Sequence, residues 1–227
     1  MRASGFILAV FLAIQAASGG TISYTGTLAS PDDASTVITV TLASGGTLGL
    51  ETYGFGGGTN AASEAIAAGG FDPFVGVFAG TGNGALFIDG TSDLLSNYSP
   101  GCPPAGMVNI GGAVCGDVAL SETLAAGTYT VLLTDGAYIP NAIYETNGTL
   151  GDGFNDLTGG AFQTCNTTDS GTKCITPTAN WALDITAPGT TATAAPEPGG
   201  LGAIGFAVIT WSVAWRRRWR NKSGIDQ

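Results

Sequence analysis

Thr21-Ile22-Ser23-Tyr24-Thr25-Gly26-Thr27-Leu28, then Val37-Ile38-Thr39-Val40-Thr41-Leu42, then Leu48-Gly49-Leu50-Glu51-Thr52, is the stretch whose period decides the fold class. Side chains alternate between polar and apolar with a period of two, and the runs are rich in β-branched residues, which is the pattern of half-buried strands. Pro31-Asp32-Asp33 and Ser44-Gly45-Gly46 separate them with turn chemistry, so three strands in a meander are expected. Further along, Phe74 to Phe78 follows the turn Gly69-Gly70-Phe71-Asp72-Pro73, and Ala85 to Ile88 repeats the style. Asp117 to Leu120 and Tyr129 to Thr134 are separated by Leu124 to Gly127, and Trp181 to Thr186 closes the series. Short strands at this spacing point to an all-β domain, a β-sandwich of jelly-roll type. Ala61 to Ala68 is the one stretch in the body that could form a short helix, and Ala187 to Ala195, all Pro, Gly, Thr and Ala, reads as a linker.

Charge narrows the function. Lys173 is the one basic side chain between Arg2 and Arg216, while fifteen of the 17 carboxylates lie from Asp32 to Asp184, so the body carries a net charge near −14. Such a surface repels nucleic acid, whose phosphates need Lys and Arg, and attracts cations. The chain has no histidine. Ser-His-Asp and Cys-His catalysis and His-ligated metal centres are therefore outside its reach. Gly56-Gly57-Gly58 and Gly111-Gly112 lack a Walker lysine or Rossmann spacing and read as turns.

Three chemistries remain open. A glycosidase works with two carboxylates alone, and Glu51, Glu64, Glu122 and Glu145 are the glutamates of the body, although nothing in their spacing marks two as partners. Calcium needs clustered oxygen ligands, and Asp72, Asp89, Asp93 and Asp117 fall at strand ends that a sandwich could gather; Asp152, Asn155 and Asp156 form a second acidic loop without EF-hand spacing. Sugar stacking would use Tyr98, Tyr138 and Tyr144, which sit in polar loops, whereas Phe74, Phe78, Phe87, Tyr129 and Trp181 sit in strands and belong to the core.

The two ends of the chain read as addresses. Met1 and Arg2, an apolar run from Gly5 to Ile14 and the small residues Ala16, Ala17, Ser18 and Gly19 follow the succession of a secretory signal peptide, assigned to residues 1–18. In an exported chain the four cysteines oxidise, and the local pairing Cys102 with Cys115 and Cys165 with Cys174 is the preferred one of three. Near the other end, Pro196-Glu197-Pro198 precedes the 17 uncharged residues Gly199 to Trp215, then Arg216, Arg217, Arg218, Trp219 and Arg220. As a helix the uncharged run covers roughly 25 Å, just enough to span a bilayer, with tryptophans at the interface and the arginines stopping transfer on the cytoplasmic side.

A rigid Pro-Glu-Pro, a short apolar helix and an Arg cluster, in that order, resemble the PEP-CTERM sorting signal of Gram-negative envelope proteins. The resemblance implies that Pro196, Glu197 and Pro198 are read by an exosortase, a membrane-embedded transpeptidase, and that the helix is a temporary anchor. A second resemblance covers about Tyr24 to Thr134. Thr52-Tyr53-Gly54-Phe55-Gly56-Gly57-Gly58-Thr59-Asn60, Ala68-Gly69-Gly70-Phe71-Asp72-Pro73, Val77-Phe78 and Leu124-Ala125-Ala126-Gly127-Thr128-Tyr129-Thr130 look like an ectodomain often attached to such tails, itself similar to the pre-peptidase C-terminal β-sandwich. Relatives carry an Asn-Asp-Asp run where this chain has Phe87-Ile88-Asp89-Gly90, so a calcium ion served by that run would have lost part of its ligand set here.

The resulting layout is a signal peptide at 1–18, an ectodomain at 19–186, a linker at 187–195, a sorting segment with its transmembrane helix at 196–220 and a cytoplasmic tail at 221–227. It implies a non-enzymatic envelope or matrix protein, exported by the secretion machinery and held only transiently in the inner membrane. The cell surface or extracellular matrix, with exopolysaccharide as a partner, is its expected destination, and no resident cofactor other than calcium is expected. A secreted carboxylate-pair glycoside hydrolase is the alternative.

Overall fold

The computed structural model describes residues 20–92, 107–110, 113–188 and 190–194. The signal peptide, the sorting segment 196–220, the tail 221–227, Asp93, Tyr98 and Cys102 lie outside the described residues. Among the described residues no helix is long and apolar enough to cross a membrane.

Nine strands build two antiparallel sheets: β1 (Gly20–Thr27), β2 (Val37–Leu42), β3 (Gly46–Thr52), β4 (Pro73–Ala79), β5 (Leu86–Ser92), β6 (Ala119–Leu124), β7 (Gly127–Asp135), β8 (Asn180–Ala187) and β9 (Thr190–Ala194). One sheet runs β1-β8-β3-β6 and the other β9-β2-β7-β4-β5. They face each other across one apolar core: Val40, Leu42, Val75, Val77, Val131 and Leu133 from the five-stranded sheet meet Leu48, Leu50, Leu183 and Ile185 from the four-stranded sheet. At roughly 1.5–3 kcal/mol per fully buried aliphatic side chain, this layer is the main source of stability.

The expected meander is corrected here. β2 joins the other sheet from β1 and β3, and β1 and β3 lie on either side of β8 instead of beside each other. The chain does turn at Ser44-Gly45, but turn chemistry does not say whether the returning strand pairs with its predecessor or crosses the core to the opposite sheet. The β6-to-β7 connection crosses in the same way, and the Tyr129 hydroxyl clamps it by donating to the Ala125 carbonyl at 2.8 Å. That bond explains the Tyr in the run Leu124 to Thr130.

Two more expectations change. Thr190–Ala194, read as linker, forms β9 and pairs with β2 from Thr190 opposite Leu42 to Ala194 opposite Ile38. It adds a strand to the edge of the five-stranded sheet. Ala61 to Ala68 holds no helix: Ser63 takes φ 64°, and Asn60 and Glu64 close a tight loop through Asn60 N to Glu64 O at 3.1 Å and Glu64 N to Asn60 Oδ1 at 2.9 Å.

β4 is buried on both faces, which is why Pro73 to Ala79 is almost continuously apolar while β2 alternates. Its outward side chains Phe74 and Phe78, with Leu132 of β7, form a second cluster roofed by Ala142, Ile143, Leu150 and Phe154. The roof comes from the excursion after β7, which contains two 3-10 turns, Asn141–Tyr144 and Leu150–Asp152. Beyond it, Thr164–Thr168 and Gly171–Ile175 form a hairpin crossed by the Cys165–Cys174 disulfide, whose cysteines are directly opposed with Cα atoms 4.1 Å apart. This is one of the two expected pairs. Cys115 is disulfide-bonded as well, to a partner outside the described residues.

Candidate functional site

The loop from Tyr53 to Phe71 lies over the outer face of the four-stranded sheet and is tied down by backbone contacts. Tyr53 N donates to Ala182 O at 3.1 Å, Gly69 N to Phe55 O at 3.0 Å and Gly70 N to Gly54 O at 2.8 Å. A Cβ on Gly70 would fall on the carbonyl oxygens of Asn180 and Gly54, so glycine is the one residue that lets the loop return this close to β8. Asp117 sits beneath the loop's first turn. Its carboxylate takes Phe55 N at 3.1 Å and Gly56 N at 2.6 Å, and burial pushes its pKa up against the opposing pull of these N–H groups.

Asp117 is one of the four expected calcium ligands, and the three of them that are described, Asp72, Asp89 and Asp117, do not gather. Its oxygens serve backbone amides, Asp89 takes its neighbour Gly90 N at 2.8 Å, Asp72 is buried in the turn before β4, and Asp93 lies outside the described residues. Among the described residues no three Asp, Glu or Cys side chains gather as a metal cluster. The acidic loop Asp152 to Asp156 caps turns instead: Asp152 accepts Thr149 N in a capping box, and Asp156 Oδ1 accepts Thr158 Oγ1 at 2.7 Å and Thr158 N at 2.9 Å. Those two Thr158 bonds hold the Asp156 pKa down.

Carboxylates meet in pairs elsewhere. On the outer face of the four-stranded sheet the register sets Ser23, Asp184 and Glu51 in one row across β1, β8 and β3. Asp184 is 5 % exposed; its Oδ2 accepts Ala61 N from the covering loop at 2.8 Å, and its Oδ1 has no hydrogen-bond partner. Ser23 Oγ accepts Ala62 N at 3.1 Å. Tyr53 lies two residues along from Glu51 on the same face, and its pKa is raised first by burial and then by the Glu51 and Asp184 carboxylates beside its hydroxyl. At the open edge, Asp89 of β5 and Glu122 of β6 come within hydrogen-bonding reach, and Glu122 is pushed up by burial and then by Asp89. At the end of β7, Asp135 rises to about 6, chiefly through burial, with the Ala137 N–H opposing and the Asp156 charge adding.

No protein-family model matches the chain, and no curated protein matches it.

The glutamates named from the sequence are thus not brought together with one another: Glu51 stands opposite Asp184, Glu122 meets Asp89, and Glu64 accepts from Asn60 Nδ2 at 3.2 Å. Of the loop tyrosines, Tyr138 stacks on Phe154 with ring centroids 4.7 Å apart, Tyr144 is exposed, and Tyr98 lies outside the described residues. Phe74, Phe78, Tyr129 and Trp181 are buried, as expected of strand aromatics, and Phe87 packs edge-on against Phe78 at 5.4 Å. Asp184 was missed as a site residue. In Trp181-Ala182-Leu183-Asp184-Ile185 it occupies an outward position, which reads as solvent, and only the covering loop makes it buried.

Proposed function

We propose that this is a non-enzymatic protein of the cell envelope or extracellular matrix of a Gram-negative bacterium, exported, inserted transiently in the inner membrane, and released to the surface by an exosortase-type transpeptidase. The observation that carries the reading is the order Pro196-Glu197-Pro198, seventeen uncharged residues, then Arg216, Arg217, Arg218 and Arg220, behind an acidic β domain. The Cys165–Cys174 disulfide supports an oxidising destination. β9 ends at Ala194, so the sorting motif follows the sheet edge after a single residue, Ala195. Within the domain, the order 1-8-3-6 opposed to 2-7-4-5, with β9 added beside β2, supports a jelly-roll sandwich. The acidic surface and the exposed Tyr144 suit a role among exopolysaccharide chains and the cations they hold, with no contact to nucleic acid.

Intact mass of the mature protein from its native host tests this. The expected mass lacks residues 1–18 and the segment from Gly199 on, and replacing Pro196 and Pro198 by alanine restores the C-terminal segment. A wild-type mass that retains residues 199–227 contradicts the proposal.

The alternative, a secreted glycoside hydrolase, draws on the Glu122–Asp89 contact. Glycosidases hold their two carboxyl groups about 5 Å or more apart so that the sugar fits between them. These two lie within hydrogen-bonding reach of each other. Release of reducing sugar from host polysaccharide by the wild type, abolished in Glu122→Gln, would replace the first reading by the second.

A further inference from the structure

We propose that Asp184 and Glu51, with the Tyr53 hydroxyl beside them, form a divalent-cation site under the loop that covers the four-stranded sheet, with Ca2+ as the ion its ligand chemistry suits. The inference rests on the geometry of that face and is independent of the export reading.

The first observation is a buried carboxylate oxygen without a hydrogen bond of its own, beside a single hydroxyl, that of Tyr53, which it shares with Glu51. Asp184 is 5 % exposed and directs Oδ2 to Ala61 N at 2.8 Å, while Oδ1 is buried and without a hydrogen bond. A buried ionised oxygen left in that condition is costly, and native structures pair such groups with a donor or a cation. The second is the company it keeps. Glu51 is its direct cross-strand neighbour on β3, where Cβ atoms of opposed residues stand about 5 Å apart and like charges repel. The phenol of Tyr53 has a single proton to give, so it satisfies at most one of the four carboxylate oxygens. On the other flank, Ser23 Oγ is engaged by Ala62 N at 3.1 Å.

Among the described residues no basic side chain neutralises the row. Lys173 is the one basic residue among the described residues, and it lies exposed in the Gly171–Ile175 strand of the peripheral hairpin. Within the described residues the pair has no cationic partner, and a cation from solution would supply one. Two carboxylates and a phenol are hard oxygen donors, which select Ca2+ or Mg2+ over softer metals, and Ca2+ tolerates the irregular geometry that a sheet face and a loop provide. With two anionic ligands the remaining positions fall to main-chain carbonyls and water. That predicts weak binding, of the order of 10⁻⁴–10⁻³ M, the range of extracellular calcium modules.

The test uses the full-length protein freed of metal with a chelator. Thermal unfolding is followed in calcium chloride against sodium chloride of equal ionic strength, and Tb3+ emission is excited through tyrosine. Calcium is expected to raise Tm by about 3 °C once it exceeds its dissociation constant roughly tenfold. Tb3+ emission should appear and be displaced by calcium. Asp184→Asn should abolish both responses and Asp89→Asn should leave them unchanged. Should Asp184→Asn fail to fold, Glu51→Gln is expected to weaken calcium binding at least tenfold, and Tyr53→Phe to lower the Tb3+ emission. A wild type that responds to neither ion overturns the proposal, as do responses that survive in both Asp184→Asn and Glu51→Gln.

Discussion

Over the five-stranded sheet, Phe74, Phe78 and Leu132 are sealed by Ala142, Ile143, Leu150 and Phe154; over the four-stranded sheet, Asp184 is sealed by the backbone of the loop that contains Ala61. Both coverings are loop excursions that turn an exposed sheet face into an interior. The first covering removes apolar surface from water and needs no other reason to exist. The second covers a carboxylate, which opposes folding unless something compensates the charge. An excursion that buries a charge next to another charge is therefore where a ligand is to be sought, and one that buries phenylalanine is where stability is to be sought.

The largest expected effect breaks the apolar covering. Phe78 is fully buried between the sheet and Phe87, so Phe78→Ala should lower unfolding stability by about 3–5 kcal/mol, read as a fall in the urea midpoint. Calcium response should persist in this variant wherever it remains folded, because the cavity opens on the opposite face.

Next is the fastening of the polar covering. Gly70→Ala places a methyl against the Asn180 and Gly54 carbonyls, which are backbone and cannot swing away, and should cost about 2–3 kcal/mol. Here the loop should loosen before the core does. Limited proteolysis between Gly54 and Gly70 should speed up by more than the drop in global stability accounts for.

The smallest effect concerns burying a carboxylate without a base. Asp135 has its folded pKa raised from 3.8 to about 6, so the native state holds the proton more tightly than the unfolded chain. Stability from this group is therefore gained as pH falls from about 6 towards 4 and lost as pH rises through 6. Asp135→Asn keeps an oxygen for the Ala137 N–H and removes the charge. It should stabilise the protein at pH 7 by on the order of 2 kcal/mol after allowance for solvent screening, and flatten the pH profile between 4 and 6.

How much of this was legible beforehand differs between the two coverings for a physical reason. Pro73 to Ala79 is apolar on both parities, and a strand apolar on both parities has two faces to bury, so the sequence already implies a second layer over β4. Trp181 to Thr186 alternates, which implies one wet face, and Asp184 on that face looks like solvent. Its burial depends on a loop more than a hundred residues earlier, reaching it through Ala61. Local pattern carries no trace of such a contact. Strand existence followed the period of two in the same way, whereas pairing did not: β1, β2 and β3 are consecutive, yet none of them pairs with another. The pairing of Cys165 with Cys174 was readable from their nine-residue separation, whereas the two strands that oppose them, Thr164–Thr168 and Gly171–Ile175, were not, because their Thr- and Asn-rich sequence reads as loop.

Amide hydrogen exchange, measured with and without calcium, tests most directly whether the polar covering closes over an ion while the apolar one closes over hydrophobic surface alone. Protection of Ala61 and its neighbours Asn60 to Glu64 should rise severalfold in calcium, while Phe87 and Leu150, whose amides bond to Gly148 O and Ala85 O under the apolar covering, should not change. Equal changes at both places, or none at Ala61, would contradict it.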